Sequence, residues 1–211
     1  MKADRKVVIL ANGLFPKAQH GLDLLKAADQ LICCDGAADK LIAKGMSPHV
    51  IVGDMDSLSG EVREQYASII IHSDDQESND LTKAVHYCID KGYSSVTILG
   101  ATGLREDHTL GNISLMLEYY PRIEVQIISD YGIFFLVQSG EQVRSKLGEK
   151  ISFFSIDNRV SVSSTGLLYQ LNDLRLANWY RATLNEATAD QFTLYFESNL
   201  PLIVYKAWSQ E

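Results

Sequence analysis

Hydrophobic and polar residues alternate in blocks along the first two thirds of the chain. Short apolar runs of strand length are separated by longer segments whose apolar residues recur at helical spacing. This alternation is typical of a parallel sheet whose strands are buried on both faces. The predicted strands are residues 7–11, 31–34, 50–52, 69–71, 96–99 and 125–128. The predicted helices are residues 21–28, 37–44, 61–67, 79–91 and 108–119.

The pattern changes from about residue 134, where long helical segments stop. Short runs rich in β-branched and aromatic residues follow, with turns between them, and they predict an antiparallel β-sandwich. These runs are residues 133–137, 142–145, 151–156, 160–163, 192–196 and 202–205, and residues 172–185 are predicted to be irregular. We therefore predict a parallel-sheet α/β domain at residues 1–132, followed by a small antiparallel β-sandwich domain at residues 133–211.

Polar residues gather where the predicted strands of the first domain end. Ligands of open parallel sheets bind beyond the carboxyl ends of the strands, so these loops are expected to meet around a site. They carry glycine, asparagine and several aspartates, at residues 12–13, 35–36, 53–56, 74–76 and 100–103. Crowded carboxylates repel one another, which favours a bound cation.

Asp54 and Asp56 are the central pair of acids, directly after the apolar run 50–52. If the strand continued through them, their side chains would point the same way, because residues two apart on a strand share a face. Two carboxylates suit Mg²⁺, especially when a substrate phosphate supplies other ligands. An acidic surface turn in which Ser57 caps a helix explains the same segment equally well.

Further candidates stand at the starts of two predicted helices. Asp80 and Lys83 are three residues apart on one helix face, where they form either a local ion pair or a metal ligand and a phosphate partner. Glycines 100 and 103 allow backbone amides to approach an anion, and the Arg105 guanidinium suits phosphate. His108 is either a surface or capping residue or part of the same site.

Charge and cysteine content limit the partners and the compartment. The 211 residues carry a formal net charge of −8, with no basic patch, so neither nucleic acid nor a membrane is an expected partner. The cysteines at positions 33, 34 and 88 lack metal-site spacing and are predicted to be reduced thiols in a cytoplasmic protein. The apolar run near the N-terminus is too short for a signal peptide or a membrane span.

The motifs occur in an order and at spacings that resemble the thiamin pyrophosphokinase family. They are Asp35-Gly36, Gly53-Asp54-x-Asp56-Ser57, Asp75-Gln76-x-x-x-Asp80-Leu81-x-Lys83-Ala84, Gly100-x-x-Gly103-x-Arg105-x-Asp107-His108-x-x-x-Asn112, Thr165-Gly166-Leu167 and Ser198-Asn199. The resemblance covers nearly the whole chain. It departs from the family pattern at Asn79, where threonine is usual, and at Leu104, where a second glycine is usual.

This resemblance implies a magnesium-dependent enzyme that moves the diphosphate of ATP onto the hydroxyl of thiamin and releases AMP. It implies that Asp54, Asp56 and Asp80 hold Mg²⁺, and that Asp107 binds metal or orients the nucleophile. Ser198 and Asn199 are the implied thiamin contacts. A homodimer is also implied, with thiamin between the α/β domain of one subunit and the β domain of the other. The candidate ATP-site residues are Asn12, Asp35, Gln76, Asn79, Lys83, Arg105 and His108.

Two other functions use the same acidic site. One is a metal-dependent phosphohydrolase, in which water is the nucleophile. The other is a module that binds nucleotide without turning it over. Incubation with ATP, with and without thiamin, separates them, because a hydrolase needs no thiamin.

Overall fold

The computed structural model describes residues 5–75 and 77–208. The chain divides into two compact units, Met1–Asp130 and Tyr131–Glu211. The first combines helices with a parallel sheet and the second is antiparallel, which confirms the predicted fold class.

Strands and helices alternate in the first unit, as the apolar pattern predicts. The strands are β1 Val7–Leu10, β2 Gln30–Cys34, β3 Val50–Gly53, β4 Ile70–His72, β5 Ser95–Leu99 and β6 Glu124–Ile128. The helices are α1 Gln19–Lys26, α2 Ala37–Ile42, α3 Gly60–Gln65, α4 Asp80–Asp90 and α5 Glu106–Tyr119, and a 3₁₀ turn at Ala67–Ile69 leads into β4.

The strands of this unit lie in the order β6-β5-β1-β2-β3-β4 and pair in parallel. The chain builds outward from β1 to β4 and then returns to the other side of β1 to form β5 and β6. Strand order therefore reverses between β1 and β5. Such a switch point opens a crevice at the carboxyl ends of the strands, where ligands of this fold class bind.

Helix α4 shows how local sequence sets an element that carries site residues. The Asn79 side chain caps its start, because Oδ1 accepts a hydrogen bond of 2.9 Å from the backbone N–H of Thr82. Apolar residues at helical spacing, among them Leu81 and Cys88, are buried on one side. Gly92, with φ of +73°, follows the end of the helix. The cap fixes Asp80 in the first turn, at the edge of the crevice.

The second unit is built from short strands, as predicted. They are β7 Gly132–Val137, β8 Gln142–Arg144, β9 Lys150–Phe154, β10 Ser161–Thr165, β11 Leu174–Arg175, β12 Asn185–Glu186, β13 Gln191–Phe196 and β14 Leu202–Ala207. Within the described residues they form the antiparallel arrangements β12-β9-β14-β7 and β11-β10-β13-β8. Phe153, Val162, Phe192 and Val204 belong to the apolar cluster that both arrangements bury. Most of the segment predicted to be irregular has no strand, although β11, a 3₁₀ turn at Trp179–Ala182 and the first residue of β12 lie within it.

No helix in residues 5–75 and 77–208 has the length and apolar character needed to cross a bilayer.

Gly13 lies where the loop after β1 meets the loop after β5. Its N–H donates to the Gly100 carbonyl at 2.7 Å, and the N–H of Leu14 donates to the Thr102 carbonyl at 2.9 Å. A Cβ atom at Gly13 would lie 2.3 Å from the Gly100 oxygen and 2.8 Å from the Thr102 oxygen. A side chain at this position would therefore force two backbone segments apart.

We expect Gly13→Ala to lower the free energy of unfolding by about 1–3 kcal/mol, because the backbone must move to admit the methyl group. Urea denaturation of the purified protein measures this. The control is Gly111→Ala within α5, where an added Cβ has nothing within 4 Å. That substitution should be neutral or stabilise by up to about 1 kcal/mol, since alanine favours a helix more than glycine does. Equal stability of Gly13→Ala and wild type would contradict the close approach.

Candidate active site

A cavity of about 340 Å³ opens at the switch point between β1 and β5. The loops that follow these strands form one side, and the N-terminal parts of α4 and α5 form another. Its lining includes Ala11, Asn12, Gly13, Asn79, Asp80, Ala101, Thr102, Leu104, Arg105, His108 and Asn112. The structure thus brings together loops that lie about 90 residues apart in sequence, as expected for ligands of an open parallel sheet.

Carboxylates gather beside this cavity, at the ends of the adjacent strands β2 and β3. Asp35, Asp54 and Asp56 each present an oxygen atom, and these atoms lie within 4.8 Å of one another. Asp80 approaches the same strand end, because a Cβ atom at Gly53 would lie 3.0 Å from the Asp35 Cβ and 3.2 Å from the Asp80 Oδ1. Glycine at position 53 is what lets α4 come this close.

Asp54 and Asp56 converge through a turn and not along a strand, which corrects the geometry expected from sequence. Strand β3 ends at Gly53, and Met55 between the two acids is left-handed, with φ of +69°. The backbone N–H of Asp56 donates to Asp54 Oδ1 at 3.2 Å, an interaction within the turn. The buried Met55 side chain anchors the loop, and an Arg63 guanidinium N–H donates to the Met55 carbonyl.

Asp35 is the most buried of these acids, with only 1% of its surface exposed. Its Oδ2 accepts a hydrogen bond of 2.9 Å from the Ser57 N–H, whereas the buried Oδ1 has no partner among the described residues. Burial, and to a smaller extent the neighbouring carboxylates of Asp56 and Asp80, raise the pKa of the Asp35 carboxyl to about 6, although the Ser57 hydrogen bond opposes the shift. A buried oxygen without a donor, among neighbouring carboxylates, fits a divalent cation with oxygen ligands.

Lys83 supplies a positive charge within the protein itself. Its side chain is 5% exposed, and Nζ lies 3.1 Å from Asp80 Oδ1 and 3.9 Å from Asp54 Oδ2. The predicted ion pair within α4 is therefore present, and it extends to a second predicted metal ligand. Part of the negative charge of the site is neutralised without a metal, which keeps the crowded carboxylates tolerable in the folded chain.

Asp107 lies at the start of α5 and forms an exposed pair with Arg105. The guanidinium contacts both carboxylate oxygens, with Nη2 to Oδ2 at 2.6 Å and Nε to Oδ1 at 3.1 Å. These contacts lower the pKa of the Asp107 carboxyl to about 2. Arg105 and His108 line the cavity, and the His108 N–H donates to Asp107 Oδ1 at 2.9 Å. Asp107 is thus an anion held by a neighbouring cation.

The remaining predicted site residues lie in different places. Asn12 and Asn79 line the cavity. Gln76 lies outside the described residues. Ser198 and Asn199 belong to the second unit, in the turn between β13 and β14, where Ser198 Oγ accepts a hydrogen bond of 3.0 Å from the Leu200 N–H.

Sequence reasoning placed Asp35 with the nucleotide and not with the metal. The available signal was its position after the strand next to β3. Lys40 was missed altogether, although its Nζ donates to the carbonyls of Asn12 at 2.9 Å and Gly13 at 3.1 Å and so holds the loop after β1. A single lysine on a short helix carries no sequence pattern that indicates such a contact.

The fold and the acidic site define an α/β protein with a candidate divalent-cation centre beside a switch-point crevice, followed in the chain by an antiparallel β unit. Residues 22–127 match the family described as thiamin pyrophosphokinase, catalytic domain. Residues 132–205 match thiamin pyrophosphokinase, substrate-binding domain. The chain belongs to the thiamin pyrophosphokinase family, whose members are transferases.

Individual relatives agree with this placement. Thiamin pyrophosphokinase 1 of Caenorhabditis elegans is 25% identical over an alignment of 194 positions, which covers 84% of this chain and 79% of the relative. Thiamine pyrophosphokinase 3 of Oryza sativa is 30% identical over 131 residues, and this match spans 50% of the chain and about half, 49%, of the rice protein.

Solved structures share the fold along nearly the whole chain. Thiamine pyrophosphokinase from Bacillus subtilis superposes with a TM-score of 0.77 at 22% identity, covering 97% of this chain and 100% of its own. The yeast thiamin pyrophosphokinase gives a TM-score of 0.79 at 15% identity and covers 99% of this chain and 88% of its own.

The Asp35→Asn variant tests whether the buried Asp35 carboxylate destabilises the metal-free protein. At neutral pH and without metal, we expect a higher melting temperature than wild type, because the variant carries no buried charge and can still accept from the Ser57 N–H. Since the folded-state pKa is raised from 3.8 to about 6, wild-type stability falls as pH rises through this window, and the difference should shrink as pH falls through it. Mg²⁺ should stabilise wild type more than the variant.

Thermal unfolding across this pH range, with and without Mg²⁺, measures both effects. The control is Asp157→Asn, which removes a partly exposed carboxylate whose pKa is lowered to about 2 by Arg159. That variant should gain no stability at neutral pH and should keep the response to Mg²⁺. A metal-free Asp35→Asn protein less stable than wild type at neutral pH would show that the carboxylate is already compensated.

Proposed function

We propose that this protein is a thiamin diphosphokinase, which transfers the diphosphate of ATP to the hydroxyl of thiamin and releases AMP. The observation that carries the proposal is the cluster of Asp35, Asp54 and Asp56, with its unpartnered buried oxygen, beside the switch-point cavity. Matches to both the catalytic and the substrate-binding parts of the family support it. ATP as co-substrate agrees with a family of kinases.

We propose that Asp54, Asp56 and Asp80 hold Mg²⁺, together with Asp35. Their oxygen donors suit this hard cation, and bound phosphates complete its ligands. When bound, Mg²⁺ supplies charge neutralisation on the phosphates of ATP. Lys83 contributes a fixed positive charge next to Asp80 and Asp54, so it balances the site before the nucleotide arrives.

The nucleotide is proposed to lie in the cavity. Arg105, at its mouth, offers the guanidinium to phosphate, and backbone N–H groups of the glycine-containing loop after β5 suit the same group. Asn12 and His108 line the cavity and are proposed nucleotide contacts, with Asn79 and Gln76 from the segment before α4. Asp107 is proposed to bind metal or orient the acceptor hydroxyl. Reaching either would require Asp107 to share or leave its contact with Arg105.

The transfer breaks one bond and forms one. The hydroxyl oxygen of thiamin attacks the β-phosphorus of ATP, and its proton is released. The bond between the β-phosphorus and the bridging oxygen to the α-phosphorus breaks, and AMP leaves with that oxygen. Cationic groups around the β-phosphoryl centre lower the barrier because they stabilise charge that develops on the transferred and departing oxygens. Ser198 and Asn199 are the proposed thiamin contacts.

Product analysis tests the function. With ATP, Mg²⁺ and thiamin, chromatography should show AMP and thiamin diphosphate rising together in equal amounts. Asp56→Asn should lower turnover at least about 100-fold while the protein stays folded, because it removes a proposed metal ligand. Asp90→Asn, at the opposite end of α4 from Asp80, is the control and should turn over at the wild-type rate.

Each other product pattern excludes the proposal in its own way. ADP with thiamin monophosphate means transfer of one phosphoryl group. Phosphate or pyrophosphate released without thiamin means a phosphohydrolase. Stabilisation by ATP and Mg²⁺ with no product means a binding module.

We also propose a homodimer formed through the second unit. Phe153 and Val204 face its core, so the next residues, Phe154 and Tyr205, point to the opposite side of the sheet. The Tyr205 ring lies 4.6 Å from the Phe134 ring, and the Phe154 ring lies 6.0 Å from the Trp179 ring, between centroids. A partly exposed aromatic face of this kind suits a second copy, because a two-fold interface uses the same patch twice.

Trp179→Asp should convert the dimer into a monomer at micromolar concentration, because each copy would bring a charge into an apolar interface. Light scattering coupled to size exclusion measures the mass. The control is Leu147→Asp, which alters a residue that is 80% exposed in the loop between β8 and β9 and should remain dimeric. A monomeric wild-type protein with full activity would refute the dimer.

A cytoplasmic location is proposed as well. It is supported by Cys33, Cys34 and Cys88, which are free and buried thiols.

A further inference from the structure

A chain of side-chain hydrogen bonds connects α4, α5 and the loop after β5. Asn79 Oδ1 accepts from the Thr82 N–H at 2.9 Å, and Asn79 Nδ2 donates to Asn112 Oδ1 at 3.2 Å. Asn112 Nδ2 in turn donates to the Ala101 carbonyl at 2.8 Å. Asn112 is 8% exposed, so its amide lies where an unpaired polar group would be costly.

The two ends of this chain carry different parts of the site. Asn79 directly precedes Asp80, whose carboxylate contacts Lys83 and approaches Asp35. Ala101 lies in the loop that leads to Arg105, the guanidinium at the mouth of the cavity. Ala101 itself belongs to the cavity lining. The amide pair is therefore a side-chain link between the helix that carries an acid and the loop that approaches the anion.

We propose that Asn112 is a positioning residue, which acts through Asn79 to hold the Asp80 carboxylate and the Ala101–Arg105 loop in register for Mg²⁺-bound nucleotide. This inference rests on the proposed function for its substrate. It replaces the nucleotide contact proposed above for Asn79 with the support of Asp80, because both polar atoms of the Asn79 side chain are engaged within the protein. Neither asparagine needs to touch the reacting atoms for the effect.

In this chain the amide at each position makes two contacts at once. A serine at position 79 would keep a cap oxygen for the Thr82 N–H, but it has no second group that reaches Asn112. An alanine at position 112 would leave both the Asn79 amide and the Ala101 carbonyl without this partner. In either case α4 and the loop after β5 lose this link, while each retains its own backbone hydrogen bonds. Such supporting contacts around metal ligands typically change affinity or activity by about 10–100-fold when removed.

The first measurement is Mg²⁺-dependent thermal stabilisation at a fixed saturating ATP concentration, which requires no turnover and no thiamin. We expect Asn79→Ser and Asn112→Ala each to raise the Mg²⁺ concentration for half-maximal stabilisation about tenfold. In the product assay at saturating substrates, kcat should fall by a similar factor while KM for thiamin stays unchanged. If the role were purely structural, the melting temperature would fall, but the Mg²⁺ dependence would not shift and kcat would not fall relative to KM for thiamin.

The double variant Asn79→Ser/Asn112→Ala tests whether the residues act as one unit. If Asn112 acts through Asn79, the double variant should show the same Mg²⁺ dependence as Asn112→Ala alone, because the link is already broken. Multiplied effects of the two substitutions would overturn the relay. Gln126→Ala is the matched control, since it removes another partly buried amide contact, from Gln126 Nε2 to Thr97 Oγ1 at 2.8 Å. It should leave the Mg²⁺ dependence at the wild-type value.

Failure of this inference is separate from failure of the proposed function. If the wild-type protein binds ATP with Mg²⁺ but makes no thiamin diphosphate, the proposed function is wrong. The Mg²⁺ titration of the variants still tests the role of Asn112. If the wild-type protein makes thiamin diphosphate, and both single variants stay within twofold of it in Mg²⁺ dependence and kcat, the proposed function stands. The positioning role of Asn112 is then wrong.

Discussion

Crowding of negative charge at one end of the parallel sheet is the constraint on which the rest of the first unit depends. Asp35, Asp54 and Asp56 converge there, and Asp80 approaches from α4. Burial makes the Asp35 charge especially costly, since one oxygen has no partner among the described residues. The Lys83 ammonium and the Ser57 N–H offset only part of this negative charge. The folded chain thus keeps an excess of negative charge at this edge of the sheet, and a divalent cation that also binds phosphates can neutralise it.

Much of the fold could be predicted because most strands and helices have a recognisable local pattern of apolar residues. Fully buried strands give continuous apolar runs, and α4 gives an apolar stripe bounded by a capping asparagine and a glycine. The two-residue strands β11 and β12 could not be predicted in this way. Their residues are set by pairing with β10 and β9, which are distant in sequence, and so short a segment has no period of its own.

The site was predictable in outline for a different reason. Parallel strands bring their following loops to one edge, so the sequence alone indicates which acids are neighbours. The route by which they meet was not predictable: Met55 adopts a left-handed conformation, and Arg63 from the next helix holds its carbonyl. The burial of Asp35 was equally hidden, because it depends on how the loop at Ser57 folds over it. Such contacts follow from tertiary packing and leave no local signal.

The backbone hydrogen bonds between the loop after β1 and the loop after β5 affect which sequence changes this chain can accept in evolution. Gly13 and Leu14 bind Gly100 and Thr102 through peptide groups alone, and peptide groups are the same in every amino acid. These backbone contacts therefore tolerate most substitutions, except at Gly13 and Gly100, where an added Cβ would lie 2.3 Å and 2.5 Å from backbone oxygens. A lineage can exchange nearly all the surrounding side chains and inherit the same crevice. Solved structures that differ from this chain at about four positions in five share its fold.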